Sequence, residues 1–327
     1  MRRVLRLIVR LVFAAIVFAL AGLGWAHWSI RQERAPLPTL AAVNAAATAG
    51  GDLPVRLSIV NTASQPMPRS AVLDPGGDPH PTEAFVMSHP SFVLQWADGR
   101  LLLVDVGMTS EQAIQFGKPI EMLGGQAARP LGAVADQLGD ATARVQGVVF
   151  THPHTDHVGG IGALCTALGR PLHAFMTHAQ AERPNYTTRP GLQALRDASC
   201  VQPALLDGGA LMPVAGFPGV QVIDAGGHTP GSQIILVAVQ GADGVRRYAF
   251  TGDIVNNLDG ILADVPKPFV YRTFLVPEDG TRQAELRAFL KRLRDDAGYT
   301  LLVSHDQRAL EASGVPAFPR ATAVQSP

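Results

Sequence analysis

Cysteine and net charge are both scarce in this chain. Its 327 residues include two cysteines, Cys165 and Cys200, and neither stands in a cluster of other ligand-type residues, so neither reads as a metal ligand. An oxidising compartment would permit the two to join, but sequence alone does not bring them together. Cys165 falls inside an apolar helical pattern, and the expectation is a buried free thiol. Charged residues make up 17% against 47% hydrophobic, which excludes general disorder and suffices for one large domain with a sizeable core. The formal net charge is zero, with 27 basic and 27 acidic residues. Six of the arginines (Arg2, Arg3, Arg6, Arg10, Arg31 and Arg34) and one acid, Glu33, lie in the first 34 residues, so the remainder carries 21 basic and 26 acidic residues, a balance of −5. That sign is a poor match to a polyphosphate, and nucleic acid is excluded as a partner.

What the chain does have begins at its N-terminus. A basic start, Met1 to Arg6, precedes an apolar run from Leu11 to Trp25, and counting from Leu7 gives about the ~20 residues that cross a bilayer. Trp25 and Trp28 stand where interfacial aromatics belong. Residues 1–28 are therefore expected to be a signal peptide or a transmembrane anchor. Ala19-Leu20-Ala21 offers a small-residue cleavage site, but apolar residues continue beyond it, which favours a retained anchor. The arginines on the near side place the rest outside the cytoplasm, in a bacterial periplasm; Arg2-Arg3 supports twin-arginine export only weakly.

Residues 29–52, rich in Ala, Pro and Gly, read as a linker with a little helix. A domain is expected over 53–313 and a loose tail over 314–327. The alternation from Leu53 to Val60 fits a strand, and the Pro- and Gly-rich stretch from Pro66 to Pro81 is a long loop of the kind that is functional or mobile. Ser91 to Trp96 and Leu101 to Asp105, joined through Asp98-Gly99, form a hairpin. His89, between Ser88 and Pro90, reads as an ordinary loop histidine, with approach to the site from that loop as the alternative. Pro130 to Leu138 is predicted helical with the proline at its first position. Further on, helices over Ile161 to Leu168, Gly191 to Ala198 and Glu285 to Arg294 alternate with apolar strands at Pro171 to Met176, Val220 to Ala225, Gln233 to Gln240, Arg247 to Phe250 and Leu301 to Val303. His178 reads as a surface residue. The alternation predicts an α/β protein whose sheets are covered by helices.

The densest chemistry lies at Thr151 to Gly160, where three imidazoles and a carboxylate occupy six consecutive positions: His152, His154, Asp156 and His157. Neutral imidazole suits zinc and other first-row metals, and a carboxylate adds neutralising charge. The run Val145 to Phe150 before it is a buried strand and Gly159-Gly160 opens a helix, so the ligands sit on a loop at the carboxyl end of a strand, where α/β proteins place their chemistry. Three more candidates, His228, Asp253 and His305, each follow an apolar strand.

The pattern His-x-His-x-Asp-His at 152–157 resembles the signature of the metallo-β-lactamase-fold hydrolases. The stretches Gly227 to Ser232, Thr251-Gly252-Asp253 and Ser304-His305 match its remaining motifs in order, over about residues 53 to 313. The resemblance implies an αββα sandwich and a dinuclear site, with His152, His154 and His228 on one metal, Asp156, His157 and His305 on the other, and Asp253 bridging. It implies a metal-bridging hydroxide as nucleophile, a catalytic role for Asp156 in orienting it or carrying its proton, and Asp105 as a buttress of the metal loop. Aspartate at 253 and histidine at 305, with no cysteine ligand, resemble the lactonase, thioesterase and phosphodiesterase branches, and histidine at 154 stands where the oxygen-reducing di-iron members typically carry a glutamate. Two zinc ions are the first choice of cofactor, with iron or manganese at one position as the alternative.

A hydrolase of lactones or related carboxylic esters is the leading expectation. A thioesterase of the glyoxalase II type, a phosphodiester or phosphotriester hydrolase, and a non-catalytic metal-stabilised binding protein at the membrane are the alternatives. Tyr271 is the candidate to stabilise a substrate oxygen, and Lys267 or Arg272 to bind a carboxylate. The partner is a small ester or lactone; the oligomeric state is not legible.

Overall fold

A computed structural model describes residues 2–31, 35–48, 51–122 and 124–319. Two sheets pack face to face. The first has seven strands: β1 (Arg56–Met67), β2 (Phe85–Gln95), β3 (Leu101–Val104), β4 (Arg129–Pro130), β5 (Val145–Val149), β6 (Leu172–Thr177) and β7 (Val201–Leu206), in the order β4-β1-β2-β3-β5-β6-β7. The second has five: β8 (Met212–Pro213), β9 (Val220–Asp224), β10 (Gln233–Gly241), β11 (Gly244–Phe250) and β12 (Tyr299–Leu302), in the order β12-β11-β10-β9-β8.

The continuous apolar runs are explained by burial on both sides, with successive side chains facing opposite ways. Phe92 and Leu94 of β2, Leu102 and Val104 of β3, and Ile235 and Val237 of β10 fill the space between the sheets. Val93, Leu101 and Leu103 turn instead to the outer helices α4 (Val134–Leu138), α6 (Ile161–Leu168) and α8 (Arg189–Asp197). Ile234 and Leu236 turn to α10 (Gly280–Asp295), whose Leu286, Phe289, Leu290 and Leu293 form the fourth layer. The result is the expected αββα sandwich. The predicted hairpin is present, with Phe92 opposite Val104 and Gln95 opposite Leu101.

Four expectations are corrected. Cys165 and Cys200 form a disulfide with Cα atoms 5.4 Å apart, because α6 packs beside the end of β6, where Leu172 N donates to Cys200 O at 2.8 Å. The helix expected over 130–138 starts only at Val134: Pro130 pairs with Ala63 at the sheet edge, where its missing N–H costs nothing. Residues 315–318 of the expected tail are docked, with Ile59 N donating to Pro316 O at 2.9 Å and Phe318 N to Ile59 O at 2.8 Å; 320–327 lie outside the described residues. In the expected linker, helix α2 (Leu40–Thr48) buries Val43 against the α10 layer, and Arg282 donates to Ala35 O at 2.8 Å; its residues 32–34 and 49–50 lie outside the described ones.

Helix α1 (Arg2–Arg31) is long and apolar enough to cross a membrane, and along it only Ala26 and Ile30 are buried.

Candidate metal centre

Five strand ends converge on one edge of the sandwich. β3 runs into Asp105, β5 into Thr151 to His157, β9 into His228, β11 into Asp253 and β12 into His305. Short backbone bonds lock these loops together: Asp105 N donates to Val149 O at 3.0 Å, Val106 N to His157 O at 2.8 Å, and Gln233 N to Thr151 O at 2.7 Å. The turn before Asp253 needs glycine. Gly252 has φ +50°, and a Cβ there would lie 2.8 Å from the Thr151 Cβ.

The structure brings all seven candidate ligands together. His152, His154, His228 and Asp253 form one group and His157, Asp253 and His305 a second, each with its ligand atoms within 4.8 Å of one another. Asp253 belongs to both, with Oδ2 3.0 Å from His305 Nε2 and Oδ1 3.2 Å from His157 Nε2. Asp156 Oδ2 lies 3.6 Å from His157 Nε2 and 3.4 Å from His305 Nε2.

Each imidazole spends one ring nitrogen on a partner outside the cluster, which fixes its tautomer. His157 Nδ1 donates to Asp105 Oδ2 at 2.9 Å, His305 Nδ1 to Ser88 O at 2.8 Å and His228 Nδ1 to Glu278 Oε1 at 2.6 Å. Thr151 Oγ1 gives its proton to Asp105 Oδ2 at 2.7 Å and so accepts from His152 Nδ1 at 3.2 Å. Thr187 Oγ1 donates to Asn185 Oδ1 at 2.8 Å and accepts from His154 Nε2 at 2.9 Å. The inward nitrogens are thereby left as bare lone pairs. His152 Nε2 faces His154 Nδ1 at 2.9 Å and His157 Nε2 faces His305 Nε2 at 3.3 Å, while His228 Nε2 and Asp253 Oδ1 are buried without a hydrogen-bond partner. Lone pairs opposed at such distances repel unless a cation lies among them, so the residues present fit divalent metal ions.

Titration follows the same crowding. Burial, reinforced by the charge of His157, holds His152 well below the usual imidazole range, and burial with His228 brings His154 to about 3. His157 and His305 go the other way: burial opposes their charge, but Asp156, Asp253 and Asp105 around His157, and Asp253 beside His305, outweigh it. Burial raises Asp156 and Asp253, yet the neighbouring histidines hold both below the usual carboxylate range.

Asp105 sits where the metal-loop buttress was expected. It accepts from Thr151 N at 2.8 Å besides its bonds to Thr151 Oγ1 and His157, and it holds a left-handed φ of 57° at the strand end. Tyr271 lines a cavity of about 620 Å³ over the cluster, beside Asn256. Burial together with Asp253 keeps the Tyr271 hydroxyl protonated well above the usual phenol range. Lys267 and Arg272 are not brought there. Lys267 is buried beneath His228, donating to Glu278 Oε1 at 2.7 Å and to the Asp253 carbonyl, and is not free for a substrate carboxylate. Arg272 lies over the Phe269 ring, 5.7 Å from its centroid, away from the cavity wall.

Two residues of the site carried no sequence signal that singled them out, and a third was read otherwise. Glu278, buried, holds both His228 and Lys267. Thr187 orients His154 from a polar loop. His89 is corrected from a loop histidine: it lies within β2, buried, with Nδ1 3.2 Å from Asp156 Oδ2 and its ring 5.1 Å from that of Phe116.

The sequence profile of the metallo-beta-lactamase superfamily matches residues 84–305. No curated protein matches the chain. Among solved structures, an N-acyl homoserine lactone hydrolase with N-hexanoyl-L-homoserine bound at its catalytic metal centre is 17% identical, with a TM-score of 0.58 over 80% of this chain and 96% of that one. A B. thuringiensis enzyme with N-decanoyl-L-homoserine at its active site is also 17% identical, with a TM-score of 0.58 over 80% and 96%. A quorum-quenching N-acyl homoserine lactone lactonase is 16% identical, with a TM-score of 0.57 over 83% and 99%. At these identities the likeness is one of fold.

Proposed function

The chain belongs to the metallo-beta-lactamase superfamily and carries the site of a metal-dependent hydrolase, and from that premise we propose that it opens lactones or related carboxylic esters at a dinuclear zinc centre. One observation carries the choice of substrate: among the described residues no lysine or arginine lines the cavity over the cluster. Its walls are apolar, with Met67, Met87, Phe116, Ile120, Val270 and Leu275 around the polar floor of Asp156, Asp253, Asn256 and Tyr271. A phosphodiester or an anionic thioester would find no cationic side chain to meet its charge beyond the ions themselves, whereas a neutral ester with an apolar acyl group suits such walls.

His152, His154 and His228 would hold one ion, Asp156, His157 and His305 the other, and Asp253 both. When bound, the ions supply an activated water and an electrophile for the carbonyl oxygen. The protein does the rest. Tyr271, kept protonated, offers its hydroxyl to the substrate oxygen, and Asp105 and Glu278 fix the imidazoles. As water adds to the carbonyl carbon and the ring C–O bond breaks, the departing oxygen takes a proton carried by Asp156 Oδ2, which His89 flanks; a hydroxy acid leaves. Helix α1 would hold the domain outside the cytoplasm, in a bacterial periplasm, and the Cys165–Cys200 disulfide suits that oxidising compartment.

The test is acid release, followed by pH-stat, from an N-acyl homoserine lactone by the full chain with zinc restored. A metal-dependent kcat/KM of about 10⁴ M⁻¹s⁻¹ or more is expected, the ordinary range for an enzyme on its own substrate. A rate no higher than that of the metal-free protein overturns the ester reading.

A further inference from the structure

We propose that the segment from Phe269 to Leu275 and the outer end of α1 form one surface seated in the membrane interface, so that the cavity receives a long-chain ester or lactone from the lipid leaflet. The substrate part rests on the ester-hydrolase reading above; the seating does not.

The depth of the segment follows from the helix. Starting at Leu7, about 20 residues at ~1.5 Å each cross the ~30 Å hydrocarbon core and end near Trp25. Trp25 and Trp28, with ring centroids 4.9 Å apart, mark the far interface. At this level α1 meets the domain: His27 Nε2 donates to Thr273 O at 3.0 Å, and Ala26 and Ile30 are buried against the body. Thr273 therefore lies at the interface plane, and its neighbours lie there with it.

Those neighbours are apolar and uncovered. Phe269 is 56% exposed, Val270 59%, Phe274 52% and Leu275 50%, an arrangement that water does not favour in four side chains within seven residues. The Phe269 and Phe274 rings are 6.0 Å apart, so they form one patch. Arg272, with its guanidinium over Phe269, adds a cation where anionic headgroups would sit. Val270 and Leu275 also line the cavity above the metal cluster. The patch is thus the rim of the cavity, and an acyl chain would pass from the leaflet over Val270 and Leu275 to Phe116 and Ile120 without crossing water.

The experiment uses the full chain in vesicles of phosphatidylcholine and phosphatidylglycerol. In the variant Trp25→Phe/Trp28→Phe/Phe274→Trp, the remaining native indole, Trp96, is fully buried between the sheets, and the new one at position 274 reports on the patch. Lipids brominated along their acyl chains are expected to reduce its emission about twofold, as for an aromatic side chain within the interface. Emission that bromine leaves unchanged, whether the patch is in water or covered by a second copy of the chain, overturns the seating. In Phe269→Ser/Phe274→Ser, kcat/KM for a long-chain lactone dissolved in the vesicles is expected to fall about tenfold, with a short water-soluble lactone within about twofold of the parent. Equal loss on both substrates, or loss on neither, overturns delivery from the leaflet. If the parent protein turns over neither lactone, the ester reading fails while the quenching still decides the seating.

Discussion

Glu278 bears more of the site than its position suggests, and its replacement by glutamine isolates how much. Its Oε1 accepts from His228 Nδ1 at 2.6 Å and from Lys267 Nζ at 2.7 Å, with the side chains of Lys267 and Glu278 2% and 3% exposed. Burial raises the Glu278 carboxyl, but Lys267 and then His228 more than offset that and hold it below the usual range. Glu278→Gln keeps the shape and removes the charge. It leaves a buried ammonium with only neutral acceptors, the new amide oxygen and the Asp253 carbonyl, and stranding a buried charge costs about 3 kcal/mol or more. His228 loses its anionic acceptor, and loss of such an outer partner lowers metal affinity about 10- to 100-fold, or ~1.4 to 2.7 kcal/mol. Urea unfolding of the metal-free protein reads the first effect and competition with a chromophoric chelator the second. Pairing Glu278→Leu with Lys267→Met removes both charges and should recover most of the stability but not the metal affinity. Glu278→Gln within about 0.5 kcal/mol of the parent in stability and twofold in metal affinity would refute the reasoning, since ordinary surface changes do no more.

Asp253→Asn removes the one carboxylate common to both groups, and turnover should fall by at least about a hundredfold with the circular dichroism spectrum unchanged, because a ligand outweighs its outer partners. Asp78→Asn breaks the fork in which Arg69 donates to Asp78 at 2.8 and 2.7 Å, and should cost roughly 3 kcal/mol at neutral pH, Arg69 keeping Asp259 at 2.8 Å. The Arg69 hydrogen bond holds the Asp78 carboxyl below its ordinary 3.8, so the folded state prefers the ionised form. This stability is present above the unfolded pKa and is lost as pH falls through the folded one. The gap between parent and variant should therefore be constant near neutrality and close below about pH 4, as denaturation at several pH values would show. Cys165→Ser/Cys200→Ser opens a loop of 35 residues and should lower stability by roughly 4 kcal/mol in thermal or urea unfolding.

Sequence alone determined the layers and pointed to the candidate ligands, because both are written in local pattern. Buried central strands such as Leu101 to Val104 and Ile234 to Val239 must be apolar on both faces, and each candidate ligand follows such a strand, so runs and motifs could be read together. Asp105, just past the end of a hairpin strand, was legible as a buttress only through the family resemblance. Whatever depended on two distant segments was left to tertiary structure. Cys165 finds Cys200 only once α6 packs beside β6 and β7; Glu278 reaches His228 across 50 residues; His89 reaches Asp156 from a strand whose sequence, with a proline beside the histidine, reads as a loop. Lys267 and Arg272 show the reverse. A cation in a strand-following loop reads as a substrate anchor, but desolvation sends each charge to the partner that best compensates it, a buried carboxylate for Lys267 and an aromatic face for Arg272. Periodicity records which face of an element is dry, whereas the partner of a polar group is a property of the assembled fold, and only the fold shows that the rim of the cavity and the end of the apolar helix share one surface.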